Sequence, residues 1–292
     1  MPPSIDAGSG GLLSPIRVRL DLGYDGTGFS GWAAQPGRRT VEATLVLALQ
    51  TVFRVQGLRL VVAGRTDAGV HATGQVCHLD VPHRAWEQIR GRTSHDPASA
   101  LLARLAGVLP DDIRVHGAAQ APPGFDARFS AVQRRYRYRI SDHPWGPPPL
   151  RRRDVLWSRQ PLDVEAMDAA AGALAGLHDF AAFCKRREGA TTVRTLLRYQ
   201  WRRDGEGLVV ATVEADAFCH SMVRSLVGAL LAVGEGRKPV DWPGSLLTAE
   251  SRASGVTVAP AHGLVLTGVD YPPDDQLAAR AELTRNVRTL EA

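Results

Sequence analysis

The sequence predicts an α/β fold of the α+β type. It reads as two similar β-α-β-rich halves around mixed or antiparallel sheets flanked by helices. Three observations predict this. Short β-branched runs alternate with stretches of helical period along the chain. The order of these runs in the first half recurs in the second. The 292 residues, 44% of them hydrophobic, suffice for one large core or two ordinary ones.

The elements follow in order. Ile16 to Leu22 alternates as a strand, and a glycine-rich loop runs from Gly23 to Gly37. Thr40 is an N-cap for a helix to about Phe53, with Glu42 in its first turn and Val41, Leu45, Leu49 and Val52 on one face. Leu58 to Ala63 is a strand that ends in the loop Gly64-Arg65-Thr66-Asp67-Ala68-Gly69. Strands at Gln75 to Val81 and Ile113 to Ala118 flank a helix from Ala98 to Leu109, which Pro110 closes. In the second half, strands are expected at Arg135 to Ser141, Val155 to Ser158, Val193 to Arg202, Leu208 to Glu214 and Leu264 to Tyr271. Helices are expected at Val164 to Leu174 and Phe218 to Val233. The organisation is thus an N-terminal tail over 1–15, an α/β domain over 16–120, a second over 121–272, and a loose or helical tail over 273–292.

Composition narrows the function classes. Charged residues make up 22% of the chain and the net charge is +5, with a pI near 9.5. That balance suits a polyanionic partner. Lysine occurs only at Lys185 and Lys238, so nearly all of the 35 basic residues are arginine. Arginine forks grip phosphate and stack on bases, although an arginine-rich genome would give the same bias. No apolar run approaches the ~18 residues of a membrane helix. The first fourteen residues lack the basic start and apolar stretch of a secretion signal. Three widely spaced cysteines, Cys77, Cys184 and Cys219, suggest neither a disulfide framework nor a thiolate zinc site, and point to a reducing cytoplasm.

Four motifs carry the chemistry. Gly26-Thr27-Gly28-Phe29-Ser30-Gly31 follows a strand as a dinucleotide fingerprint does, but Trp32, Pro36 and Gly37 prolong the loop, and the next strand ends in Gly64 rather than a ribose-binding acid. A nicotinamide enzyme is therefore disfavoured, and the loop is expected near an RNA backbone. Asp67 stands on a loop at a strand end, a usual catalytic address, where a turn aspartate bonding its own backbone is the plainer reading. Arg135-Tyr136-Arg137-Tyr138-Arg139 puts two tyrosines on one strand face and three arginines on the other. Aromatic faces stack flipped bases and arginines meet phosphates, while a charged edge strand would look similar. Arg224 falls at the rim of an apolar helix arc beside His220, where a cation needs an acidic partner or a phosphate, or else reaches solvent. His71, Cys77 and His78 do not make a metal site, because Cys77 and His78 face opposite sides of a strand.

Together these pieces resemble the tRNA pseudouridine synthase A (TruA) family. Gly64-Arg65-Thr66-Asp67-Ala68-Gly69-Val70-His71, then Gly74-Gln75-Val76, is similar to its nucleophile motif. Phe125 to Ala131 followed by Arg135-Tyr136-Arg137-Tyr138 matches a second block, and His178-Asp179-Phe180 with Phe183 a third. Ala217-Phe218 and Met222-Val223-Arg224, with Val227-Gly228, match the helix of the active-site arginine. Tyr24-Asp25-Gly26 and Gly31-Trp32 match the first loop. The matches run in order from Val18 to Tyr271. Two departures stand out: Ser221 and Ser225 replace a frequent histidine and asparagine, and 106–110 lacks the asparagines common before Leu109-Pro110.

The resemblance implies the pseudouridine synthase fold, with the active site in the cleft between its two halves. It implies isomerisation of uridine in the anticodon stem-loop of tRNA at positions 38, 39 and 40. Asp67 would be the nucleophile, Arg224 its partner, and Tyr136 the base-stacking side chain that also assists proton removal from C5. Arg65 and Arg128 would hold the RNA backbone, with Arg135, Arg137 and His71 as further substrate contacts. A homodimer is implied, and no cofactor, metal, nucleotide or membrane is called for. The rival from another class is a non-catalytic RNA-binding protein on the same fold, whose mark would be loss of Asp67 or Tyr136; both are present.

Overall fold

The structure is a computed structural model that describes residues 14–92, 94–185, 191–249 and 255–285. Its strands are β1 (Ile16–Tyr24), β2 (Val61–Val62), β3 (His71–Val81), β4 (Ile113–Gln120), β5 (Gln133–Ser141), β6 (Leu156–Trp157), β7 (Gly176–Asp179), β8 (Val193–Arg203), β9 (Val209–Ala215) and β10 (Leu264–Asp270). Its helices are α1 (Val41–Phe53), α2 (His83–Gln88), α3 (Pro97–Val108), α4 (Val164–Gly172), α5 (Met222–Gly234), α6 (Trp242–Ser245) and α7 (Leu277–Arg285).

Local chemistry explains most of these elements. In β1 the alternation buries Val18, Leu20, Leu22 and Tyr24. The Thr40 hydroxyl accepts from the Ala43 amide and starts α1. Asp96 caps α3, with Pro97 at its first turn, and Asp163 caps α4. Of the expected strand at Leu58 to Ala63, only Val61–Val62 pair, with His78 and Cys77 of β3. The expected helix from Phe218 starts at Met222, because Ser221 has a left-handed φ of 62° that interrupts it. Most of the N-terminal tail lies outside the described residues. So do 286–292 of the C-terminal tail, whose described part forms α7.

All strands join one mixed sheet, ordered β4-β1-β3-β10-β5-β9-β8-β7, with β2 beside β3 and β6 beside β5. The chain's first strands form one half and β5 to β9 the other. The last strand, β10, lies between them. It is parallel to β3 through Val265↔His71 and Leu266↔Ala72, and antiparallel to β5 through Leu266↔Tyr136. Helices α1 and α3 pack on the first half, α4 and α5 on the second. The core includes Trp32, Tyr138, Phe125, Phe180 and Phe183, each fully buried. No helix among the described residues is long and apolar enough to cross a membrane.

Helix α5 is buried at every position except Arg224. At Gly228 an added Cβ would lie 1.7 Å from the Thr257 carbonyl oxygen, so this glycine lets the segment at 257–259 lie directly on the helix. That contact fixes the backbone that carries Arg224.

Candidate active site

The loop 64–70 follows β2 and turns back into β3 beside the β10 seam. Its ends are tied down. The Gln75 amide donates to the Gly64 carbonyl (2.9 Å) and to the Tyr24 hydroxyl (3.2 Å), which itself meets the Thr66 hydroxyl at 2.8 Å. Burial first of all pushes the Tyr24 phenol up to about 12, so it stays protonated. The glycine-rich loop braces this turn. Trp32 N donates to Thr66 O (3.0 Å), and an added Cβ at Gly26 would sit 2.1 Å from Val70 O. Gly26 and Gly31 make the close approach to the protein's own Asp67 loop.

Asp67 projects from this braced turn toward the start of α5. Its Oδ2 accepts from Arg224 Nη1 (3.2 Å) and from the Ser221 hydroxyl (3.1 Å), and His220 Nε2 lies 3.4 Å from Oδ1. Arg224 Nε donates to Ala259 O (2.8 Å), while Ala259 N donates to Arg224 O (3.0 Å). The guanidinium is thus aimed from both ends. The carboxylate and guanidinium are about a quarter and a fifth exposed, so the pair is shielded yet reachable.

Tyr136 lies over the same cavity and is buried, edge-to-face with Phe218 at 5.2 Å between ring centres. Burial, then the negative charge of Asp67 and the neighbouring Tyr24, raises its phenol well above the ordinary range. It is therefore a neutral hydroxyl at physiological pH. The cavity these residues share holds about 620 Å³ and is lined by seven Arg or Lys residues against three Asp or Glu. It suits an anionic ligand large enough to insert a base.

The structure brings Asp67, Tyr136, Arg224, Arg65 and Arg128 together around this cavity. It does not bring Arg135, Arg137 or His71 there. Arg135 is on the opposite face of β5, bonded to Glu214 (3.1 Å) and Asp270 (2.7 Å), and Arg137 points out on that same face. His71 is buried, with Nδ1 accepting from Gly26 N (3.0 Å) and lying 3.2 Å from Asp25. It braces the glycine-rich loop. The basic side chain of β5 that reaches the cavity is Arg134, two residues before Tyr136 and so on the same strand face. Strand alternation contained that signal. The contacts of His220 and Ser221 contained none, since they depend on the left-handed turn at Ser221.

Cys184 and Cys219, whose wide spacing in the sequence gave no sign of association, lie side by side with Cα atoms 5.8 Å apart, within reach of a disulfide, and Cys77 is free and buried. The turn after β7 packs against the loop before α5, and Lys185 N donates to His220 O beside the pair (3.1 Å).

A braced aspartate loop at the sheet's seam, a paired arginine and a buried tyrosine under a basic cleft make a candidate enzyme site for an anionic substrate that presents a base. Comparison with known proteins gives the class. A family model described as tRNA pseudouridine synthase matches residues 170–272. A tRNA pseudouridine synthase A of Frankia casuarinae is 62% identical over 273 residues, which cover 94% of this chain and 96% of that protein. Proteins of the same name from Streptomyces griseus and Mycobacterium leprae are 56% and 55% identical, covering 94% and 95% of this chain and 95% and 97% of their own lengths. The chain belongs to the tRNA pseudouridine synthase A family.

Proposed function

We propose that this protein isomerises uridine to pseudouridine in tRNA, in the anticodon stem-loop at positions 38, 39 and 40, with Asp67 as the nucleophile. The observation that carries this reading is the Asp67 carboxylate held by Arg224 and Ser221 beneath Tyr136 in a basic cavity. The reaction breaks the N1–C1′ bond, turns the uracil, and joins C5 to C1′, with C5 losing a proton and N1 gaining one, directly or by exchange with solvent. It is redox-neutral and loses no group, so it calls for no cofactor. Arg224 keeps the carboxylate charged and aimed. The target nucleotide leaves its stack at a cost of a few kcal/mol. Tyr136, a neutral phenol with an apolar ring, suits contact with the extruded base better than direct removal of the C5 proton. Arg65 and Arg128 hold the backbone.

The family's homodimer and a cytoplasmic location belong to the same proposal. A reducing compartment would keep Cys184 and Cys219 as two adjacent thiols. The test is to incubate the purified protein with unmodified tRNA and map pseudouridine. Formation at the three anticodon-arm positions is expected. A protein that binds tRNA and forms none would be the non-catalytic RNA binder instead.

A further inference from the structure

We infer that Arg280, on the C-terminal helix α7, joins Arg128 to form a binding site for one phosphodiester of the RNA backbone, over the buried positive charge of Arg134 and beside the pocket that receives the base. This inference rests on the proposed RNA substrate. It assigns a role to a segment whose sequence reads as a tail.

The placement of α7 makes the site. Leu277 and Ala281 are buried, and Arg280 and Thr284, one turn apart on the adjoining stripe, line the cavity. The helix is fixed to the segment that carries Arg128. Ser130 Oγ donates to Leu277 O (3.1 Å), and the backbone at Gly124, with φ 79°, lies so near Ala278 that an added Cβ would stand 2.7 Å from its methyl. Arg128 and Arg280 are therefore held on neighbouring, mutually packed pieces of chain.

Their charges are not neutralised by the protein. None of the three arginines forms an ion pair with a carboxylate among the described residues. Arg134 spends its donors on backbone carbonyls, those of Asp216 (2.6 Å), Ala63 (2.8 Å) and Arg128 (2.7 Å). Nε of Arg280 is buried without a hydrogen-bond partner among the described residues. Arg134 feels the crowding directly. Burial foremost pulls its guanidinium below the ordinary arginine value, and against the opposing influence of Tyr271 and Tyr136 the charges of Arg280 and Arg128 add smaller pushes in the same direction. Three clustered guanidiniums cost free energy in the free protein, and a bound phosphate offsets that cost with charge-assisted hydrogen bonds. Phe129, with Arg128 at 5.0 Å and Arg285 at 5.3 Å from its ring centre, closes one side of the site with an apolar wall.

The experiment is tRNA binding across a range of NaCl concentrations for wild type, Arg280→Gln, Arg280→Lys, Arg128→Gln and the Arg128/Arg280 double Gln variant. Arg280→Gln should weaken binding about tenfold at moderate salt and make the log–log salt slope shallower by about one unit, the loss of a single phosphate contact. Arg280→Lys should keep the slope. The double Gln variant should lose less than the sum of the single losses, because both side chains serve one phosphate. An Arg280→Gln protein that melts like wild type and keeps both slope and affinity would overturn the site. Should that variant fold poorly, Arg128→Gln, at an exposed position, carries the same slope test, and an unchanged slope there is equally fatal. Binding is read without turnover. A wild type that binds as described but forms no pseudouridine sinks the isomerase reading alone, and one that forms it while Arg280→Gln binds normally sinks only the phosphate site.

Discussion

Replacing Asp67 by Asn keeps its shape and removes its charge, which separates chemistry from binding. Single-turnover pseudouridine formation should fall by at least ~10³-fold, as when other covalent nucleophiles are removed. Affinity for tRNA should hold or rise, since one negative charge leaves a basic cavity. The fold should survive, because Arg224 keeps its bond to Ala259 O when its carboxylate partner is neutralised. A well-folded Asn variant with near wild-type turnover would end the role of Asp67. Ser221→Ala probes the same carboxylate more gently. Both side chains pay the same left-handed backbone cost, so the change isolates the hydroxyl that donates to Asp67 Oδ2. Turnover should drop by roughly tenfold, about the worth of one hydrogen bond to a charged group. Equal turnover of the two proteins would leave the hydroxyl without a part in holding Asp67. At this scale the sequence showed Asp67, Tyr136 and Arg224 through ordered motifs. It could not show Ser221 and His220, because no residue pattern announces a positive φ at a serine. Alternation from Tyr136 did show which face of β5 meets the cleft, and naming Arg135 and Arg137 in place of Arg134 overlooked it.

Among the elements, α5 bears most on the site, and its tolerance to change is uneven along the chain around it. Gly228→Ala places a methyl against the Thr257 carbonyl at a distance that neither backbone can absorb in place. Stability should fall by about 3 kcal/mol, and Arg224 should be displaced with the 257–259 segment. Gly172, at the end of α4, is the matched control. It is exposed, with nothing within 4 Å of an added Cβ, so Gly172→Ala should be neutral or stabilising by up to ~1 kcal/mol. Urea unfolding of the two variants reads both effects. Similar stabilities would show that α5 is not clamped as described. The sequence displayed the helices that combine a capping residue with a long apolar stripe, such as α1, α3 and α4. It did not display α2, with the single buried anchor Trp86, or the four-residue edge strand β7, since neither carries enough period to register.

At the scale of the whole molecule, the sequence suggested two similar halves but not the single sheet that all the strands join. A last strand that inserts between β3 and β5 through two parallel pairs leaves no local pattern. The connection between the halves is likewise built from contacts distant in sequence, and it gives the fold a pH dependence. His78 on β3 accepts the Ala127 amide at Nδ1 (3.0 Å), with its ring edge-on to Phe125, while Tyr271 donates to Ala127 O (2.8 Å) and Arg17 to Phe125 O (2.8 Å). An imidazole that accepts at Nδ1 must be unprotonated there. Burial first, and then the charge of Arg17, hold His78 below its ordinary value of 6.5, against the pull of Asp126 and Asp80. The unfolded chain therefore binds a proton more readily than the folded one. Stability contributed by His78 is complete above pH 6.5 and is lost as pH falls from there toward the folded-state value, by at most about 1.4 kcal/mol per pH unit. His262 is lowered too, by burial and then by His71, and adds a loss of the same sign. Urea unfolding at pH 7.5 and 5.5 should show wild type weaker at the lower pH. His78→Gln, which cannot titrate but can still accept from Ala127, should lose part of that difference, and the His78/His262 double variant more of it. A His78→Gln protein with the full wild-type drop would place the acid sensitivity elsewhere and leave the joint between the halves indifferent to protons.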